Sequence, residues 1–301
     1  MIKALINYFK AKSGITENTQ RLAKLEEKLS QQHNFLLSLQ QLTATETWAI
    51  NPKLAQAVQQ NLQETYSLKP FSTAVHKNDV MLAYHLYKTA PNVFWGLQSY
   101  FKVGIKAVQE LSLLAQEQGW QPQRILDFGS GYGRMSRFLP QFFNAEIIPT
   151  EVKEEAIAFQ KVALNFNGFA HSPQAEKFSA PTADLIIALS VFTHLPQAAA
   201  FEWLKKLMAT LNPKGAMVFT YHALEEQAHL KTQNKDHAFL NSSEDSLLPI
   251  TDDYLKNTED YGVSFFSQSY LEEFFKSQNW QFLYLNNRLA PNQKAFALWK
   301  T

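Results

Sequence analysis

Three features make this chain an α/β protein. After Pro122, short apolar runs alternate with helix-length amphipathic stretches, the order that yields strand–helix–strand units and a parallel sheet. Two of the runs, ILDF and DLIIAL, lack polar alternation, as strands covered on both faces do. The last two, WQFLYL and KAFALWK, are separated only by NNRLAPNQ, which predicts an antiparallel pair at a sheet edge. The expected architecture is a doubly wound, mostly parallel sheet with a C-terminal antiparallel hairpin, preceded by a helical N-terminal region.

In chain order, residues 1–97 form that helical region. Only Pro52 interrupts the first 66 residues. Ile2, Leu5, Ile6 and Phe9 share a helical face beside Lys3, Lys10 and Lys12, suited either to a membrane surface or to packing on protein. Ile15, Leu22, Leu25, Leu29, Leu36 and Leu39 occupy a and d positions of one heptad frame, with Asn18 and Gln32 in the other two. Residues 15–42 therefore read either as a coiled coil, which would make a homodimer, or as an amphipathic helix folded onto the rest. Aromatic density then rises towards the helical stretch SYFKVGIKAVQELSLLAQEQGW.

The second region, 98–301, carries the alternation: RILDFG, RMSRFLPQFF, AEIIPTE, EEAIAFQKVALNF, ADLIIALS, AAAFEWLKKLMATL and GAMVFTYH. A polar stretch at 223–262 is too long for an ordinary connection and reads as a lid or a disordered insert. Either Ser267, or Ser269 with Glu272 three residues on, caps the following helix.

Composition narrows the function. With 28 Lys plus Arg against 27 Asp plus Glu, the net charge is +1, so no general field favours nucleic acid. No cysteine occurs, which removes disulfides, thiolate metal sites and cysteine nucleophiles. No apolar run reaches the roughly 18 residues that span a bilayer, and MIKALINYFKAKSG lacks the apolar stretch and cleavage site of a secretory signal. The expected location is cytoplasmic. No metal-binding pattern is seen.

The chemistry centres on ILDFGSGYGR. Gly129, Gly131 and Gly133 are three of only ten glycines, and a turn of this kind lets backbone approach a ligand closely, with amides of a helix starting near Arg134 facing an anion. Glu151 ends the next strand-like run, 18 residues beyond Gly133, where a carboxylate can accept both hydroxyls of a ribose. Together they indicate an adenine-nucleoside cofactor. A dinucleotide fingerprint would be G-x-G-x-x-G without a preceding acid; here the spacing is G-x-G-x-G and Asp127 stands two residues ahead. An acid there repels a pyrophosphate and can accept from an ammonium.

ILDFGSGYGR resembles the first motif of the class I S-adenosylmethionine-dependent methyltransferases. IIPTEVKEEAI is similar to their second strand with its ribose-binding acid, and ADLIIALSVFTHLP and WLKKLMATLNPKGAMVFTYH to the fourth and fifth strands, over about residues 98–301. The resemblance implies a seven-stranded sheet and S-adenosylmethionine as cofactor, with S-adenosylhomocysteine as product. It places Asp127, Gly129, Gly131 and Gly133 at the methionine part, Ser130 and Arg134 among the cofactor-binding residues, Glu151 at the ribose, and Ala188, Leu189 and Ser190 near the sulfur. No acidic adenine contact stands out in HSPQAEKFSAP, where Gln174, Ala175 and Glu176 are the candidates.

His194 and His222 follow the fourth and fifth strands, where either can take a proton from the acceptor or brace a loop. Tyr100 can close over the cofactor or pack in the core; Tyr132 can offer its ring to the sulfonium or pack on the first helix; Tyr254, Tyr261 and Tyr270 can line an acceptor pocket. The N/D-P-P-Y/F/W motif of nucleic-acid amino methylation is absent, so no nucleic-acid substrate is expected. The leading function is methyl transfer to a small-molecule or glycan acceptor, at oxygen. The alternatives are a non-catalytic scaffold of the same fold and a nicotinamide-dependent oxidoreductase.

Overall fold

The computed structural model describes residues 50–227, 236–241, 262–290 and 292–300, and before them 23, 26–30 and 33–34. The apolar face at Ile2–Phe9, most of the heptad stretch 15–42, and Tyr254 and Tyr261 lie outside the described residues.

Among the described residues, nine strands form the sheet. They are β1 (Arg124–Phe128), β2 (Glu146–Glu151), β3 (Phe169–Ala170), β4 (Ala183–Ala188), β5 (Leu211–Ala223), β6 (His237–Asn241), β7 (Gly262–Phe266), β8 (Trp280–Tyr284) and β9 (Lys294–Lys300). Strands β3, β2, β1, β4 and β5 lie side by side in parallel. β9 runs antiparallel to β5, from Ala216↔Trp299 to Tyr221↔Lys294, and β8 pairs antiparallel with β9, so the expected hairpin is present. These seven strands form the predicted sheet.

Of the other two, β6 lies within the polar insert and β7 begins at its last residue. β6 and β7 pair antiparallel from His237↔Phe266 to Asn241↔Gly262, and β7 continues onto the last two residues of β5. The insert's flanks are thus sheet, joined through residues 242–261, which are outside the described residues.

Side chains alternate across a strand, and here both sides meet a helical layer. Ile125, Leu185, Ile187, Val218 and Ala297 share one core with α1 (Pro52–Tyr66), α2 (Val80–Thr89) and α3 (Val93–Glu117). Leu126, Ile186, Met217, Phe219 and Leu298 face the other core, with Trp203 and Leu204 and with Leu271 and Phe275. Double coverage explains why ILDF and DLIIAL carry no polar alternation. The N-terminal helices are consequently part of the same body as the sheet, and α3 runs through position 97. Its start is set by Asn92, whose side chain accepts from the Trp95 amide; α2 is capped likewise by Asp79.

One helix departs from expectation. Instead of a helix from Arg134, the chain makes a turn, a single 3-10 turn at Ser136–Phe138 and the four-residue α4 (Leu139–Phe142). Pro140 is the reason: within a helix begun at 134 its ring would collide with a carbonyl one turn back and remove a hydrogen bond, so the helix restarts with Pro140 in its first turn. No row of helix-terminal amides forms at Arg134. Further helices along the sheet are α5 (Glu154–Ala163), α6 (Gln197–Thr210) and α7 (Gln268–Ser277). Ser267, not Ser269, caps α7 by accepting from the Tyr270 amide.

Candidate cofactor and acceptor site

The strand order reverses between β1 and β4, which opens a crevice at the carboxyl ends of the parallel strands. Register brings the relevant ends together: Phe128 lies beside Thr150, and Asp127 beside Ile187. Beyond Phe128 the chain turns through Gly129, Gly131 and Gly133 at φ values of +70°, +54° and +72°. A Cβ at any of them would be strained. The turn is tied down on both sides: the amides of Gly129 and Ser130 donate to the Thr150 carbonyl, and the Gln160 amide of α5 donates to Ser130 Oγ and the Gly131 carbonyl, both at 2.8 Å.

The glycines differ in what surrounds them. A Cβ on Gly129 would lie 2.4 Å from Val191 Cγ2, and one on Gly133 2.5 Å from Leu164 Cδ1. A Cβ on Gly131 would meet nothing within 4 Å. Packing accounts for the first two, whereas Gly131 leaves open space above an amide whose N–H donates to Glu151 Oε2 at 2.9 Å.

A cavity of about 480 Å³ adjoins the turn, within the range of small-molecule sites. Gly129, Glu151, Ser190 and His194 line it at the strand ends; Gln174, Ala175 and Glu176 line its far side. Its wall is aromatic. Phe128 stacks on His171 with ring centroids 5.0 Å apart and planes 19° apart, and meets Trp203 at 4.6 Å. Ala199, Glu202 and Trp203, spaced i, i+3, i+4, present one face of α6 to the same space. An adenosine fits this donor set: a flat apolar wall for a base and a carboxylate at the edge for ribose hydroxyls.

Several expected residues lie elsewhere. Tyr100 does not border the cavity: α3 carries it wholly into the core, where its hydroxyl donates to Asp79 Oδ2 at 2.5 Å. Tyr132 is buried on α5 and His76 rather than turned to a ligand, its ring stacked on His76 at 4.7 Å and 9°. Arg134 places its guanidinium over the Tyr100 ring. Leu189 packs against the α1–α3 core, and Ala188 is buried on the opposite side. Tyr270 accepts from Gln197 between α6 and α7.

Asp127 alternates with Phe128, so it points away from the aromatic wall and under the glycine turn, where Ser136 Oγ donates to it at 2.5 Å. Burial pushes its carboxyl up to about 7, opposed by the Ser136 bond and reinforced by Glu151. The sign of the consequence is fixed. The unfolded carboxyl ionises near its usual 3.8, whereas the folded one keeps its proton to about 7. In that window the folded state binds more protons, so stability falls as pH rises through it. Asp127→Asn is expected to flatten this dependence and to melt higher than the parent above pH 7, read by thermal scans between about pH 4 and 8; parallel curves would refute the burial account.

His194 and His222 part company. His194 lines the cavity, and its Nδ1 lies 2.8 Å from the Gly262 carbonyl. Since only an N–H can donate there, the neutral ring carries its proton on Nδ1 and its lone pair on Nε2. Burial holds this ring below the ordinary histidine range, opposed by the Gly262 bond and helped by His222, so it is neutral at pH 7. His222 does not line the cavity; its Nδ1 faces the Asn292 carbonyl at 3.4 Å, and its ring tilts against Phe265.

Sequence reasoning missed three participants. His171 follows the two-residue β3, and its buried Nε2 has no partner while Nδ1 donates to the Ser172 carbonyl. Trp203 carries the helical spacing noted above. Gln293, in the β8–β9 loop, exchanges hydrogen bonds of 3.1 and 2.9 Å with Ser190 Oγ, and Ser190 is held at φ +60° with its amide donating to Thr220. A non-glycine in that conformation marks a loop fixed by its surroundings.

A doubly wound sheet with a glycine turn after β1, an acid after β2 and an antiparallel closing hairpin defines a nucleoside-cofactor enzyme. A family model described as a methyltransferase domain matches residues 101–285. The chain belongs to that family: it is a class I S-adenosylmethionine-dependent methyltransferase, an enzyme whose cofactor is S-adenosylmethionine. Similar solved structures include an S-adenosylmethionine-dependent methyltransferase from Clostridium acetobutylicum, 11% identical, covering 65% of this chain and 91% of that one, with a TM-score of 0.47. Streptomyces venezuelae DesVI is 14% identical, covering 66% and 92% with a TM-score of 0.48. The magnesium protoporphyrin IX methyltransferase of Synechocystis, crystallised with S-adenosylhomocysteine, is 15% identical, covering 68% and 87% with a TM-score of 0.45. No curated protein matches the chain. Among the described residues no helix is long and apolar enough to cross a membrane, and no group of three or more histidine, aspartate or glutamate side chains could hold a metal ion.

Proposed function

We propose that the enzyme methylates an oxygen of a small-molecule or glycan acceptor, with His194 as general base. The observation that carries this reading is the His194 ring: on the cavity wall beside Ser190, neutral at pH 7, with Nδ1 committed to the Gly262 carbonyl so that Nε2 is the proton-accepting atom. A hydroxyl nucleophile has a proton to lose, and a neutral imidazole of this tautomer is the group to receive it.

Bound S-adenosylmethionine supplies a methyl group already activated as a sulfonium. The protein's part is alignment, exclusion of water and removal of one proton. Glu151 would hold the ribose hydroxyls, the Phe128–Trp203 wall would lie against the base, and the glycine turn would take the methionine end. Ser190, locked by Gln293 and Thr220, sets the floor beside the reacting centre. Fixed geometry of this kind supports in-line transfer.

The acceptor is found by incubating a metabolite extract with isotopically labelled donor and following the label by mass spectrometry. With it in hand, His194→Ala is expected to lower kcat by about 100-fold or more, while calorimetry shows cofactor affinity unchanged. Undiminished turnover in that variant would remove His194 from the mechanism.

A further inference from the structure

The seven-stranded sheet is complete without β6 and β7, and β7 pairs with β5 over only two residues, His222↔Phe265 and Ala223↔Phe266. Its main attachment lies elsewhere. The loop after β4 is held at three consecutive residues: the Ser264 amide donates to the Thr193 carbonyl at 2.8 Å, the Gly262 amide to the His194 carbonyl at 3.0 Å, and Ser264 Oγ to the Leu195 carbonyl at 2.6 Å. In return, His194 Nδ1 donates to the Gly262 carbonyl.

The donor directions on the far side are fixed as well. Because the Ser264 hydroxyl proton goes to Leu195, its oxygen accepts from His237 Nε2 of β6 at 3.2 Å. Ser264 is fully buried. Gly262 cannot shift freely either: a Cβ there would lie 2.2 Å from the Leu240 carbonyl oxygen and 2.8 Å from the Phe239 ring, so the strands approach at a distance only glycine allows.

We propose that the β6–β7 hairpin is the positioning element of the His194 base: the Gly262 carbonyl selects the ring tautomer and orientation, and Ser264 immobilises the loop on which His194 stands. This rests on the reading of His194 as the base. A neutral imidazole exposes one donor and one acceptor, and which nitrogen accepts is set by the bond the other makes. Without the Gly262 carbonyl the bond that selects the Nδ1–H tautomer is lost, and the share of molecules with Nε2 as the accepting atom falls. The glycine turn and Glu151 stand on β1 and β2, outside the segment that β7 holds. Gly262 and Ser264 are positioning residues.

The test uses the full chain with nitrogen-15 histidine, the His194 ring signals being assigned by their loss in His194→Gln. In the parent, NMR should show the proton on Nδ1. Gly262→Ala, whose Cβ forces β7 from β6, should give a mixed tautomer and lower kcat about tenfold or more, with cofactor affinity by calorimetry unchanged. Ser264→Ala should act in the same direction, and Ser264→Thr, which keeps the hydroxyl, should restore both readings. If Gly262→Ala does not fold, the serine pair decides. Folded variants with an unaltered tautomer and parental kcat would overturn the proposal. Full turnover in His194→Gln would instead overturn the base reading, and with it the hairpin's catalytic purpose, even where the parent's tautomer is pinned as described.

Discussion

Gly131→Ala is expected to weaken S-adenosylmethionine binding by about 100-fold, the loss of some 2–3 kcal/mol of ligand contact, while moving the melting temperature by only a few degrees. The backbone cost is that of one alanine in the left-handed region, about 1–2 kcal/mol, because nothing in the protein lies within 4 Å of the new Cβ. The steric cost is paid by the ligand. Gly129→Ala and Gly133→Ala should behave differently, since their methyls meet Val191 and Leu164 at 2.4 and 2.5 Å and strain the fold itself. Calorimetry of cofactor binding beside thermal scans of the three variants separates the two effects. Parental affinity in Gly131→Ala would mean that the space above Gly131 is not ligand space.

Arg137→Met should be the most destabilising exchange near the site. The guanidinium is only 5% exposed and donates to four carbonyls: Gly133 at 2.9 Å, Ser72 at 3.0 Å, Ala74 at 2.8 Å and Tyr132 at 3.3 Å. It also lies over the Phe101 ring at 5.1 Å. One side chain thus stitches the segment before α2 onto the glycine turn, beside the His76–Tyr132 stack and the contacts of His76, Asn78 and Tyr132 with Glu155. Methionine fills the volume but removes the guanidinium from the Ser72, Ala74 and Tyr132 carbonyls, while Gly133 keeps only the Arg137 amide, a cost of about 3–5 kcal/mol. Arg137→Lys should recover less than half of it, because an ammonium cannot span four acceptors as the planar guanidinium does. Denaturant titration measures both; a parental midpoint for Arg137→Met would show that segment 72–79 is held by other means.

The sheet was legible because burial on both faces demands uninterrupted apolar runs, and ILDF, DLIIAL and KAFALWK supply them. Glu151 was legible too, since a parallel register puts the last residue of β2 beside the turn after β1. The helix expected at Arg134 was misread by giving periodicity more weight than Pro140. Of the two roles open to Tyr100 the fold selects core packing: α3 lies against the sheet with Tyr100 on its buried side, where the hydroxyl meets Asp79.

By itself the sequence determined the alternation of strands and helices, the closing hairpin, the turn, and the acid that follows it, because these depend on short local patterns and on chain direction. Only the tertiary structure decided which of two adjacent residues faces the cavity, Phe128, and which lies beneath the turn, Asp127. Only the fold brought Gln293 to Ser190 and Gly262 to His194, across 103 and 68 positions of chain. Such pairs leave no periodic trace, since each partner satisfies its own local rule and the hydrogen bond between them exists only once the sheet is assembled.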